Sequence, residues 1–231
     1  MEFSGLEKLS LVDFDDNLTA TLFMAGCPFR CPFCHNADLV LHPGLAPKIP
    51  FEEILDYLQK RKGVLDAVCI TGGEPTLMPD LEEKIRAIRA LGYAIKLDSN
   101  GYNPDILRDL IHKGLLDYVA MDIKNSKLRY SETAGIPIDI HRIEESVELL
   151  KTCGIRYEFR TTIMEEFHDY GDIQKIGEWI QGAPRYYLQK YTDGEHCIQH
   201  YFHEISPQKA LEFKEIIKAY VGNVGFRGYE F

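Results

Sequence analysis

Three of the six cysteines of this chain fall in one run, CPFRCPFCHN at 27–36. Cys27, Cys31 and Cys34 thus place three thiolates within eight residues. A cubic iron–sulfur cluster ordinarily takes four protein thiolates, so a set of three leaves one iron open to a small molecule. The competing chemistry is structural zinc on Cys27, Cys31, Cys34 and His35. Adjacent side chains such as Cys34 and His35 rarely point at one ion, and zinc ribbons draw a second ligand pair from a distance. Cys69, Cys153 and Cys197 are scattered singly and supply no such pair, which favours a cluster with an open corner.

The next candidate is TGGEPTL at 71–77. By itself a glycine pair makes a tight turn. Placed after a strand and downstream of the thiols, Gly72 and Gly73 expose backbone to close approach, and Glu74 adds a carboxylate. Carbonyls and a carboxylate together suit an ammonium group. Asp122 and Lys124, two apart on a strand, face the same side and suit a zwitterion, although a solvent-facing ion pair has the same pattern. Asp98 is read as ordering a strand end. His112, His141, His168, His200 and His203 share no ligand spacing with the cysteines and read as surface or satisfied side chains. Cys69 lies in an apolar run and reads as core, Cys153 ends a helix, and Cys197 sits in a polar loop open to oxidation.

These residues need elements to position them. Apolar, β-branched runs at 18–25, 66–71, 94–98, 118–123, 156–164 and 186–191 predict strands. Between and after them lie helical stripes: Phe51, Ile54 and Leu58; Leu81, Ile85 and Ile88; Ile106, Leu107 and Leu110; Ile143, Val147 and Leu150; Ile173, Ile176 and Ile180; Ala210, Phe213 and Ile217. Glycines at 63, 92, 114, 154, 182 and 222 stand just past the predicted helices, where a left-handed residue ends a helix. Asn103-Pro104 and Ser206-Pro207 read as cap-plus-proline starts. Strict alternation predicts an α/β fold with mainly parallel strands, either an open doubly wound sheet or an incomplete barrel. Both put their chemistry at the carboxyl ends of strands, where Cys27, Gly72-Gly73-Glu74, Ser99-Asn100, Asp122-Lys124, Thr161-Thr162 and Thr192 fall. No linker divides the chain, so one domain is expected over 1–231, with a core at about 18–222 and a short extension, 223–231, that adds an edge strand.

Thirty-six acidic against twenty-six basic side chains give a net charge of −10, which argues against nucleic-acid binding. No apolar run reaches membrane-spanning length, and the amino terminus lacks the basic and apolar regions of a signal peptide. A cytoplasmic, reducing location is expected, where cysteines serve as ligands or buried thiols rather than disulfides.

The motifs CPFRCPFCHN, TGGEPTL, LDSNG and MDIK, in this order and with a short gap between the first two, resemble the radical S-adenosylmethionine activating enzymes of glycyl-radical enzymes. The early SLVDF and the late GFRG resemble the anaerobic ribonucleoside-triphosphate reductase activators in particular. The resemblance implies a partial (β/α)6 barrel carrying a 4Fe-4S cluster on Cys27, Cys31 and Cys34, with S-adenosylmethionine at the open iron. It places Phe33 and His35 beside the adenine, and Gly72, Gly73 and Glu74 at the methionine amino group. Ser99 and Asn100 fall on the ribose side, Asp122 and Lys124 near the methionine end, and Arg160, Thr162 and Thr192 are further cofactor contacts. It also implies reductive cleavage of the sulfonium, a glycyl-radical enzyme as protein substrate, and an electron donor such as flavodoxin or ferredoxin. Rival readings are a pyruvate formate-lyase-type activator, a radical enzyme acting on a small molecule, and a non-catalytic zinc- or cluster-stabilised binding module.

Overall fold

The computed structural model describes residues 2–231. In chain order the elements are β1 (Gly5–Ser10), β2 (Thr19–Met24), α1 (Ala37–Leu41), α2 (Phe51–Lys60), β3 (Ala67–Gly72), α3 (Leu81–Ala90), β4 (Ala94–Ser99) and α4 (Pro104–His112). There follow β5 (Tyr118–Asp122), α5 (Tyr130–Ala134), α6 (Ile140–Thr152), β6 (Arg156–Ile163), α7 (Tyr170–Trp179), β7 (Arg185–Lys190), α8 (Pro207–Ile217) and β8 (Asn223–Arg227). Among the described residues no helix is long and apolar enough to cross a membrane.

All eight strands form one sheet in sequential order. Only β1 runs antiparallel to its neighbour, and β2 through β8 are parallel. A doubly wound sheet reverses its strand order at a switch point, and this sheet never does. Right-handed crossovers in an unbroken order put every helix on one face, which is the geometry of an incomplete barrel. The strands read from periodicity are all present, as is the late edge strand. The expectation omitted β1, whose mostly exposed or half-exposed side chains carry no clear alternation.

Alternation along the strands sorts two surfaces. Leu22, Ile70, Leu97, Val119, Phe159 and Leu188 join Ile54, Ile85, Leu107, Val147, Ile176 and Phe213 of the helices in one large core. The other surface, inside the barrel, is polar: Thr21, Lys96, Asp98, Glu158 and Arg160 are all buried there. Its lower end is sealed by Phe14 of the β1–β2 loop, packed on Ala67, Tyr118 and Ala120. The predicted helix ends hold with two differences. Gly222 does not take the left-handed conformation found at Gly63, Gly92, Gly114, Gly154 and Gly182. Ser206 caps α8 through the amide of Lys209, whereas Asn103 makes no side-chain cap. Its amide instead donates to Thr76 Oγ1 and its oxygen accepts from Arg142.

Candidate active site

The thiol run leaves β2 as a loop whose order comes from backbone contacts. Arg30 folds its guanidinium back to donate to the carbonyls of Cys27 and Phe29, each at 2.7 Å. The Arg30 amide donates to the Ala134 carbonyl, and a Cβ on Gly135 would overlap the Arg30 carbonyl. From the other side, a strap after β7 donates from Ile198 to the Cys34 carbonyl and from Gln199 to the Pro32 carbonyl, at 3.1 and 2.7 Å. The strap buries Cys197, whose Sγ lies 3.5 Å from His35 Nδ1. Cys197 does sit in a polar loop, as expected, but with its side chain buried rather than open to oxidation.

Cys27, Cys31 and Cys34 line one cavity of about 190 Å3 with Phe33, His35, Gly72, Gly73, Ser99, Asn100, Asp122, Lys124, Arg160 and Thr162. Burial, reinforced by the Glu74 carboxylate, pushes the Cys27 thiol up to about 12. Burial likewise pushes Cys31 up to about 11, against the opposing pull of Lys124. Two N–H groups are aimed at Cys27 Sγ, the Phe29 amide at 3.4 Å and Asn100 Nδ2 at 3.6 Å.

Two sequence expectations need correction. Glu74 is fully buried and does not face the cavity. Its Oε1 accepts from the Thr76 amide, Thr76 Oγ1 and Ser99 Oγ, and its Oε2 from the Asn100 amide. Burial pushes this carboxyl up while those donors pull it back. Glu74 is a strut tying the β3 turn to the end of β4. Thr192 lies exposed outside the cavity wall, while its neighbour Tyr191 is the buried residue that packs on His35. The glycine pair also has a different reason from the one expected. A Cβ on Gly72 would overlap the Met24 backbone, and one on Gly73 the Gly26 carbonyl. The close approach they permit is that of the β2 exit itself, fixed by the Gly73 amide on Met24 and the Glu74 amide on Gly26, both at 2.8 Å.

Sequence reasoning missed Asp98 as a wall residue. It stands in a ladder of alternating charge across the strand ends. Lys96 Nζ meets Asp98 Oδ1 at 2.7 Å, an ion-pair contact with poor hydrogen-bond angles. Arg160 reaches Asp98 at 3.0 Å and Asp122 at 2.6 Å, and Lys124 meets Asp122 at 2.8 Å. Burial works against every member, yet the opposite charges outweigh it. Arg160 and Lys124 hold Asp122 well below the usual carboxylate range, and Asp122 raises Lys124. Asp122 and Lys124 do face one side, as expected, and they pair with each other. The signal for Asp98 was strand alternation with Lys96, which puts both on the inner face.

Comparison with known proteins adds the following. The sequence profile of the Radical SAM superfamily matches residues 21–180. A putative glycyl-radical enzyme activating enzyme of Methanocaldococcus jannaschii is 31% identical over 234 residues, covering 97% of this chain and 95% of the relative. The pyruvate formate-lyase-activating enzyme of Listeria monocytogenes is 29% identical over 196 residues, 78% of this chain and 76% of the relative. Among solved structures, Streptococcus suis SuiB bound to precursor peptide SuiA superposes with a TM-score of 0.70 at 16% identity, over 90% of this chain and 48% of that one. This chain therefore spans about half of SuiB, and the likeness is one of fold.

Proposed function

We propose, from the premise that this chain belongs to the radical SAM superfamily, that it is the activase that installs a glycyl radical on a partner enzyme, anaerobic ribonucleoside-triphosphate reductase. Superfamily enzymes use a 4Fe-4S cluster and S-adenosylmethionine, and this donor set fits them. Three thiols share one cavity, and among the described residues no three metal-binding side chains converge as a single ion requires. Thiols that each meet a different iron need not converge. When bound, the pair supplies one-electron reduction of the sulfonium, which breaks its bond to the 5′ carbon, frees methionine and leaves a carbon radical able to take a hydrogen atom.

The chain's own residues bind, orient and exclude water. Cys27, Cys31 and Cys34 would hold three irons, and the N–H groups of Phe29 and Asn100 favour the thiolate at Cys27. Asp122 and Lys124 would exchange part of their mutual contact for the ammonium and carboxylate of methionine, with Arg160 and Thr162 beside them. Ser99 and Asn100 would flank the ribose, Phe33 and His35 the adenine, and the backbone of Gly72 and Gly73 the amino group. Glu74 would act as a positioning residue through Ser99 and Asn100. A reduced flavodoxin or ferredoxin in a reducing cytoplasm would supply the electron.

The observation that carries this reading is the thiol trio sharing one wall with the Asp122–Lys124 pair. Likeness to a pyruvate formate-lyase-activating enzyme favours that lyase as the second candidate partner. The test mixes anaerobically reconstituted, reduced protein with S-adenosylmethionine and each candidate in turn. A glycyl doublet in the electron paramagnetic resonance spectrum of the reductase is expected. A doublet on the lyase alone would reassign the partner, and 5′-deoxyadenosine without radical on either would refute the activase reading.

A further inference from the structure

The cofactor assignment gives no task to the strap after β7, yet this segment is tied down so as to hold one side chain in place. Its backbone grips the thiol loop on both sides of His35. The His196 carbonyl accepts from the Ala37 amide at 3.1 Å, while the amides of Ile198 and Gln199 donate to the carbonyls of Cys34 and Pro32. Asp193 fixes the start of the strap, accepting from Tyr191 OH at 3.1 Å, the Gly194 amide at 2.9 Å and the Tyr201 amide at 3.0 Å. The Cys197 amide closes a turn on the Gly194 carbonyl at 2.9 Å. Residues 196 and 198 are thus both pinned to the loop, and the buried Cys197 between them sets its Sγ 3.5 Å from His35 Nδ1.

That contact decides where the imidazole carries its hydrogen. A thiol sulfur is a weak acceptor but has a hydrogen to give, whereas a bare ring nitrogen accepts well. The Cys197 S–H therefore donates to Nδ1, and a neutral ring whose Nδ1 accepts must carry its own hydrogen on Nε2. Tyr191 packs on the same ring, with centroids 5.9 Å apart and planes at 36°, so His35 is held at an edge and over a face. His35 lines the thiol cavity, and its Nε2 has no hydrogen-bond partner among the described residues. The cavity is thus offered an N–H donor. A purine presents bare ring nitrogens, which need such a donor, and the other tautomer would set one lone pair against another. An imidazole with Nδ1 engaged and Nε2 protonated also has no lone pair left for a metal, which removes His35 from any ligand set.

We propose that Cys197 is a positioning residue for the adenine of S-adenosylmethionine: its thiol fixes His35 as the Nε2–H tautomer, and that N–H donates to a ring nitrogen of the purine. This rests on the adenine placement proposed above and deepens it to a named donor. The first readout is nitrogen NMR of the isotopically labelled, metal-free protein, with the His35 ring assigned by its loss in His35→Leu. The parent should show a bare Nδ1 and a protonated Nε2, and a hydrogen on Nδ1 would overturn the proposal without recourse to any variant. The second readout is partner-free cleavage of S-adenosylmethionine by the cluster-loaded, full-length protein. Cys197→Ala, which donates nothing, should raise the KM for S-adenosylmethionine about fivefold, the loss of one ordinary hydrogen bond, with the effect falling on KM rather than kcat. Cys197→Ser, which still donates, should restore both the parent tautomer and most of the affinity. An unchanged KM in Cys197→Ala, or an equal rise in the alanine and serine variants, would reduce the thiol to packing and overturn the proposal. Cleavage by His35→Leu at the parent KM would remove the adenine placement on which it rests, and the proposal with it, while leaving the radical chemistry intact.

Discussion

The thiol loop and the charge ladder share a cavity wall but meet the cost of burial in opposite ways. In the ladder, every charge faces an opposite one, from Lys96 through Asp98, Arg160 and Asp122 to Lys124. Low polarity strengthens those contacts while penalising each ion, so the ladder holds only as a complete set. In the thiol loop the Arg30 cation is engaged on backbone carbonyls and Lys124 pulls on Cys31 without overcoming burial, which keeps Cys27 and Cys31 protonated. A neutral thiol is a weak hydrogen bonder and buries without a partner. The loop is therefore shaped by Arg30 and the strap, and its thiols become ligands only when a metal arrives. The difference teaches that the chain preforms the charged half of the site and leaves the metal half to be completed.

The sharpest way to break this comparison is to remove one thiol. Alanine at Cys27, Cys31 or Cys34 should abolish cluster assembly, taking iron from about four per chain to background and S-adenosylmethionine cleavage with it. The metal-free variant should unfold at the same denaturant concentration as the metal-free parent, because the thiol carries no structural charge. A large drop in that midpoint would show that the loop supports the fold. Cys197→Ser should retain its iron, and heavy loss there would mean a fourth side chain is a ligand. The reverse outcome is expected for the ladder. Asp122→Asn leaves Arg160 and Lys124 facing each other with no acid between them. Stability should fall by about 3 kcal/mol, and the KM for S-adenosylmethionine should rise about 10–100-fold, with iron content kept. Iron loss in this variant would mean the two halves are one cooperative unit.

How much of this was legible beforehand follows the range of each interaction. The thiols, the glycine pair and the Asp122–Lys124 pair are each local in sequence, so types and spacing made each a candidate, and the resemblance to a known family joined them into one site. The strands from β2 to β8 were legible because alternation or continuous apolar runs survive wherever a helix covers one face. What escaped depends on register and direction. Arg160 meets Asp122 because those residues lie opposite each other in the β5–β6 pairing, and no spacing within the chain encodes that. Cys197 meets His35 from 162 residues away. Glu74 was assigned to the cavity because a motif gives a residue's position but not the side to which its carboxylate turns. The four donors that claim it lie on Thr76, Ser99 and Asn100.

That misassignment yields the next test. Glutamine at Glu74 keeps the shape but has one acceptor oxygen where the carboxylate offers two. The Asn100 amide or the Thr76 and Ser99 group must then face an NH2. A loss of about 2–3 kcal/mol is expected in denaturant unfolding of the metal-free chain, with a weaker affinity for S-adenosylmethionine as Ser99 and Asn100 shift. An unchanged stability with lost affinity would restore Glu74 to the cavity as a direct contact.

The smallest expected effect lies behind the ladder. His168 is buried, takes the Met164 amide on Nδ1 at 3.3 Å and holds Nε2 3.0 Å from the Lys124 carbonyl. Those contacts require the neutral ring with its proton on Nε2. Burial pulls this imidazole from its ordinary 6.5 down to about 4. The unfolded chain then binds the proton more readily than the folded one between those values, so folding stability is full above pH 6.5 and falls as the pH drops toward 4. Each pH unit in that window is worth about 1.4 kcal/mol, so lowering the pH from 6.5 to 5 should remove about 2 kcal/mol. His168→Gln should flatten this part of the pH profile, because glutamine does not titrate. If the slope survives the substitution, another group carries it, and the Lys124 backbone is held in place without help from a neutral ring.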